Sequence, residues 1–213
     1  MSRVTSQHTG EQAYHINYYL TMCASDTLRD TVGLQRDGYK YVIAPDDHLA
    51  AKFPKEWEDC QQSLATMLGC TPESPEVFAV WKVAAAVLHL GQVEFDEIKG
   101  EKGDTQTDIS EGSKATASRV ADLLGIDLET LRGALVTRLI MSQRPPRTKT
   151  EAGNARDALA RTIYKYLFNV LVTIINQALI GDGAGQTSDL FLGMLDIFGS
   201  EVLSVNSFEQ VRR

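Results

Sequence analysis

The chain has 213 residues, of which 43% are hydrophobic and 23% charged, enough for one domain with a real core or two small ones. Its 28 acidic against 21 basic residues give a formal charge of -7, which disfavours a broad nucleic-acid surface, because neutralising phosphates takes clustered Lys and Arg. Cys23, Cys60 and Cys70 form no C-x-x-C pair and the four histidines stand at no metal-ligand spacing, so reduced thiols and no metal site of these residues are expected.

Residues 1–11 are polar and lack the apolar stretch of a secretory signal. Ala13, Ile16, Tyr19, Leu20 and Cys23 then recur at helical spacing, predicting an amphipathic helix over 12–23. Tyr14, Tyr18 and Tyr19 read as partly buried packing residues with wetted hydroxyls. Ser25 and Asp26 are caps for a short helix that stops near Gly33. Tyr39, Tyr41 and Ile43 alternate like an extended segment. Asp46 and Asp47 open a helical region interrupted at Pro54, whose stripe from Trp57 to Leu68 ends at Gly69.

Residues 75–90 form the next helix, with Ala84, Ala85 and Ala86 widening its apolar side for close packing. His89, at its end, reads as a packed core histidine. Residues 96–113 are acidic, Gly-containing and aperiodic, which predicts an exposed loop. Two short helices, 117–124 and 128–135, join at Gly125. Residues 141–151, with Arg144, Pro145, Pro146, Arg147 and Lys149 and almost no apolar content, predict a projecting basic loop.

Residues 155–179 carry the strongest helical stripe, and Tyr166, Phe168, Val170 and Ile175 extend it, implying burial on more than one side. The stretch 166–180 is broken by Asn169, Thr173, Asn176 and Gln177, too short and polar for a membrane span, so no membrane insertion and a cytoplasmic protein are expected. Gly181, Gly183 and Gly185 turn the chain into the short apolar run 190–195, of strand length, ended by Asp196. Those glycines follow a helix and precede a strand, the reverse of the order a phosphate loop needs. The expected fold is mainly α with one short buried strand.

A buried strand ending in Asp196, with Gly199 three residues on, has the D-x-x-G arrangement. An Asp there can hold a water of a Mg²⁺ shell, and a Gly lets a backbone N–H approach a phosphate closely. Alone, the pattern is common in strands that simply turn at Gly.

Four stretches, in order and with this one as the last, resemble the myosin motor head. Ser2-Arg3-Val4 with Glu11 and the run Tyr14-His15-Ile16 to Leu20 is similar to S-R-V…E-R-N-Y-H-I-F-Y-Q-L. The run from Ala84 through His89-Leu90-Gly91 to Phe95 resembles A-A-I-L-H-L-G-N-I-x-F. Ala155-Arg156-Asp157-Ala158-Leu159 with Leu167-Phe168 is similar to A-R-D-A-L-A-K…L-F. Asp196-Ile197 to Glu201 with Asn206-Ser207-Phe208-Glu209-Gln210 resembles D-I-x-G-F-E…N-S-F-E-Q.

The resemblance implies a segment of the P-loop NTPase-type motor domain, from just after switch I through the helical upper 50 kDa region (1–189) to a strand with switch II (190–206) and the start of the relay helix (207–213). It implies ATP and Mg²⁺ as cofactors of the complete head: Asp196 as the water-mediated Mg²⁺ partner, Gly199 as the γ-phosphate amide donor, and Glu201 as the catalytic carboxylate that closes a salt bridge to a switch I arginine. It implies filamentous actin and the remainder of the motor head as partners, a cytoskeletal location, and an actin contact through Arg144, Arg147 and Lys149, whose positive charge suits an acidic filament. The sequence has no G-x-x-x-x-G-K-[ST], so this chain alone is expected neither to hydrolyse ATP nor to bind it tightly. Ser200 stands where the family has an aromatic residue. A non-catalytic helical actin-binding module, or a truncated remnant, is the alternative.

Overall fold

Residues 2–8, 11–100, 105–139 and 145–180 are described by a computed structural model. After a 3-10 turn at Ser2–Val4 the first helix, α1, covers only His15–Tyr18 and passes into a π-helical turn at Tyr19–Cys23. The amphipathic stripe predicted over 12–23 is therefore helical for its last nine residues only. The Tyr18 hydroxyl explains the late start: it accepts from the Ala13 N–H and donates to the Gln12 side chain, both at 3.0 Å, holding that stretch extended. The Tyr19 hydroxyl likewise donates to Glu56 at 2.7 Å. These two hydroxyls are satisfied by protein partners.

Helix α2 (Asp26–Val32) starts at Ser25, whose hydroxyl accepts from the Leu28 N–H, and stops at Gly33 with φ of 69°. A left-handed residue closes a helix cheaply only without a Cβ, and a Cβ there would also strike the Arg119 side chain at 2.6 Å. Asp46 caps the single turn α3 (Asp47–Ala50), and α4 (Phe53–Leu68) carries Pro54 in its first turn, where proline removes no intrahelical bond. The interruption expected at Pro54 is thus the gap between two helices. Tyr39 and Tyr41 lie in irregular backbone, not in a strand, but both are buried.

Helix α5 (Pro75–Gly91) is the centre of the fold. Ala84 to Leu90 are buried on all sides, as a helix that is apolar all round must be. One core cluster (Tyr18, Leu20, Val32, Phe53, Trp57, Trp81, Leu88) lies against one of its faces. A second (Val4, Tyr41, Val87, Leu90, Phe95, Val120, Leu131) lies against another. His89 is the core histidine expected: its Nε2 is 2.8 Å from the Val32 carbonyl, and since a carbonyl only accepts, that nitrogen carries the proton.

The loop expected over 96–113 is in its described residues largely strand. Strand β1 (Phe95–Lys99) pairs antiparallel with β2 (Thr105–Ile109), Phe95 opposite Ile109 and Lys99 opposite Thr105. The strands escaped the sequence pattern because only Phe95, Thr107 and Ile109 are buried, while Asp96, Glu97 and Lys99, residues poor in strand propensity, are exposed and even Ile98 faces outward. Tertiary anchors hold the pair instead. Arg132 donates to both oxygens of Asp108 at 2.6 and 2.8 Å, and Ser113 accepts from the Glu94 N–H. That guanidinium holds the Asp108 carboxyl below the usual range.

Helices α6 (Lys114–Leu124) and α7 (Leu128–Val136) meet at Gly125, with Asp127 capping the second. Helix α8 runs from Lys149 to Ile180, six residues earlier than its apolar stripe announces. Among the described residues the architecture is mostly helical with one two-stranded sheet. The strand expected at 190–195 lies outside the described residues.

Candidate functional site

The basic loop between α7 and α8 is pinned at its neck. Thr137 and Pro146 form an antiparallel bridge, the Arg138 N–H donates to the Pro145 carbonyl at 3.1 Å, and the Arg147 N–H to the Val136 carbonyl at 2.8 Å. The half-buried Arg147 guanidinium also gives its Nε–H to the Thr137 carbonyl at 2.9 Å. Arg147 thus ties the two arms of the loop together.

The second arm turns directly into helix. Thr148 and Glu151 form a reciprocal capping pair: the Glu151 carboxylate accepts from the Thr148 N–H at 2.9 Å, and the Thr148 hydroxyl accepts from the Glu151 N–H at 3.3 Å. The same backbone bond lowers the Glu151 carboxyl, helped by Arg138 at 3.2 Å. Lys149 therefore stands on the first turn of α8, half exposed, and reaches Asp96 of β1 at 3.3 Å. The loop is shorter than the sequence suggests, and the Thr148-x-x-Glu151 spacing was the available signal for the helix start. Of the three predicted basic residues, the structure brings Arg147 and Lys149 to one neck and adds Arg138. Arg144 lies outside the described residues, as do Asp196, Gly199, Ser200 and Glu201.

Behind the neck lies a buried network that the sequence reading did not single out. Arg156, 3% exposed, donates from its Nη1 to the Val93 carbonyl at 2.8 Å and to Glu94 at 3.3 Å, and from Nε to Asp157. The Tyr41 hydroxyl donates to the same Asp157 carboxylate at 2.6 Å, and Lys40 pairs with Glu94 at 3.1 Å. Burial first, then the Asp157 contact, pushes the Tyr41 hydroxyl far above its ordinary range. The network clamps the start of α8 to the end of α5 and to the segment around residue 41. The only signal for it was a charged pair, Arg156 and Asp157, inside an otherwise apolar stripe.

The far half of α8 contradicts the expected burial on several sides. Tyr166 is 66%, Phe168 51%, Val170 54% and Leu179 80% exposed. Helices α4, α5 and α7 and the β1–β2 pair contact α8, yet these large apolar side chains of its far half stay exposed. Between α4, α5 and α8 runs a groove of about 260 Å³ lined by Leu64, Met67, Trp81, Leu167, Leu171 and Ile175, among others. By length and composition alone Lys149–Leu179 is able to cross a membrane, a longer span than the 166–180 stretch judged too short. Its first half, however, carries Arg156 and Asp157 in the internal network.

The family model for the myosin head (motor domain) matches residues 1–212. Myosin heavy chain 95F of Drosophila melanogaster is 34% identical over 98% of this chain and 19% of its own length. Unconventional myosin-Ia of Bos taurus is 35% identical over 98% of this chain and 20% of its own length. Unconventional myosin-Ig of Homo sapiens is 31% identical, with 98% and 22% covered. The chain thus spans about a fifth of the length of these curated relatives.

Proposed function

The chain belongs to the myosin head (motor domain) family, and from that premise we propose that it forms the helical upper 50 kDa part of an actin-based, ATP-driven motor head of the P-loop NTPase type. The observation that carries the proposal is the family match over essentially the whole chain. The exposed large apolar residues of the far half of α8 (Tyr166, Phe168, Val170 and Leu179) support it, because apolar surface of that extent calls for a covering body, and the remainder of a head would supply it.

In this reading residues 196–201 are the nucleotide-sensing switch. In a complete head Asp196 would hold a water of the Mg²⁺ shell, Gly199 would offer its backbone N–H to the terminal phosphate of ATP, and Glu201 would pair with a switch I arginine. ATP with Mg²⁺, when bound to the complete head, would supply the phosphate to be cleaved, and these residues would orient it and report its presence. The fit of ATP to this chain's described residues is poor: no Gly-rich strand-to-helix turn occurs among them, and the sequence contains no G-x-x-x-x-G-K-[ST]. The rest of the head is the natural source of the phosphate cradle.

The loop between α7 and α8 faces actin, with Arg144 and Lys149 offering charge and Arg147 holding the loop in shape. Among the described residues Lys149 pairs with Asp96, both exposed, and an exposed pair exchanges partners at little cost. The protein works in the cytoplasm on the cytoskeleton and inserts in no membrane. Cosedimentation with filamentous actin tests this reading. Binding at low ionic strength that weakens as salt rises is expected, and absence of binding at low salt overturns the actin-facing assignment.

A further inference from the structure

We propose that the cavity between the end of α2, the end of α5 and the start of α6 binds free hydrogen phosphate, an oxyanion that keeps a proton. The cavity measures about 260 Å³, and its walls include Gly33, Gln35, Tyr39, His89, Thr116 and Arg119. Arg119 is the one charged residue among them, and it pairs with no carboxylate among the described residues. Its side chain lies against the backbone at Gly33, where a Cβ would meet Cδ, Nε and Cζ at 2.6–2.7 Å.

The neighbouring polar groups are open as well. The Thr116 hydroxyl and the Gln35 amide make no side-chain hydrogen bond among the described residues. The Tyr39 hydroxyl accepts from the Gln35 N–H at 2.9 Å and still has its own proton to give. Gln92, by contrast, uses both ends of its amide on Gly38 and Lys40. Several donors and one positive charge around a single space suit an anion.

His89 decides which anion. It is 6% exposed, and its Nε2 gives the ring proton to the Val32 carbonyl. Nδ1 is then a lone pair that can only accept, and it takes no partner among the described residues. Burial, with Arg119 nearby, opposes charging the ring, so Nδ1 remains an acceptor at neutral pH. An anion without a proton sets lone pair against lone pair there, whereas hydrogen phosphate can donate its O–H to Nδ1 and accept from Arg119 and the hydroxyls. The site uses neither the motor reading nor the actin contact, so it stands or falls apart from them.

Titration calorimetry on the full chain at about pH 8 and constant ionic strength compares inorganic phosphate, sulfate and glycerol phosphate. All three are dianions there, and inorganic phosphate alone still carries a proton. Saturable one-to-one binding of phosphate is expected, with sulfate and glycerol phosphate at least about tenfold weaker. Arg119→Gln, at an exposed position, should weaken phosphate at least about tenfold with thermal stability unchanged. The nitrogen resonance of His89 Nδ1 should move with phosphate and stay in place with sulfate, which tests the acceptor without altering the buried ring. Equal affinity for sulfate or glycerol phosphate overturns the proposal. So does phosphate that fails to saturate, an Arg119→Gln chain that binds like the parent, or a His89 resonance that phosphate does not move.

Discussion

The Tyr41 hydroxyl and the Asp157 carboxylate meet at 2.6 Å although 116 residues of chain separate them. Tyr41 is fully buried, and its ring lies so close to Gly91 that a Cβ there would approach it to 2.8 Å. One side chain thus sets both the end of α5 and the start of α8. Tyr41→Phe keeps the ring and removes the bond, so a loss of about 1–2 kcal/mol is expected in urea denaturation. Gly91→Ala keeps the bond and drives a methyl into the ring, with a cost of about 1–3 kcal/mol. Tyr41→Leu combined with Gly91→Ala should cost less than the sum of the two single changes, because the clash disappears with the ring. Full additivity would mean that the two positions do not press on each other.

Arg156 serves three acceptors from a site that is 3% exposed. Arg156→Met fills similar volume but strands the Val93 carbonyl and leaves Asp157 with Tyr41 alone. A loss of about 3 kcal/mol follows, reduced by whatever water reaches the partly exposed Asp157. Arg156→Lys keeps the charge but presents a point donor in place of a planar fork, so it should recover only part of the loss. If Arg156→Lys matches the parent chain in thermal denaturation, charge alone holds the joint and the fork is irrelevant.

Stability should depend on pH in two separate windows. Burial pushes His89 below its ordinary 6.5. Below pH 6.5 the unfolded chain therefore takes up a proton that the folded chain refuses. This stability is fully present above 6.5 and declines as pH falls, with a slope of at most about 1.4 kcal/mol per pH unit. Asp108 is shifted below its ordinary 3.8 by Arg132, so its contribution persists above 3.8 and is lost only as pH falls further. His89→Gln retains a donor for the Val32 carbonyl and does not titrate. In denaturant titrations carried from pH 7 to below the ordinary Asp value of 3.8 it should flatten the first slope and leave the second; an unchanged first slope would remove His89 as its source.

Local chemistry made the helices readable. Ser25, Asp46 and Asp127 accept from the first turns they precede, and Gly33, Gly69 and Gly125 close three helices in left-handed backbone, so the boundaries of α2, α4, α6 and α7 were legible within a few residues. The β1–β2 hairpin was illegible because Phe95 and Ile109, not an alternating pattern, hold it down, and because Arg132 of a later helix secures Asp108. The start of α8 at Thr148-x-x-Glu151 was legible, yet the prolines and basic residues beside it pointed to loop. For Tyr166, Phe168 and Val170 the sequence reported a need for burial that the described neighbours do not meet, since periodicity registers that a face must be covered and not by what. The switch residues Asp196, Gly199 and Glu201 were read from motif alone.

Lys149 and Arg147 should respond differently when the proposed actin contact is probed. Lys149 lies on the surface in an exposed ion pair with Asp96, whereas the Arg147 Nε–H and backbone N–H both hold the other arm of the loop. Lys149→Glu reverses one exposed charge and sets it beside Asp96. It should weaken cosedimentation with filamentous actin several-fold at low salt and reduce the salt dependence, with little change in thermal stability. Arg147→Lys keeps the charge but loses the planar donor to the Thr137 carbonyl, so it should loosen the neck, raising hydrogen exchange at Arg138 and Arg147. Binding then falls through lost shape at constant charge. If both variants lose binding equally and neither alters exchange at the neck, charge alone governs the contact; if neither loses binding, actin is met by another surface.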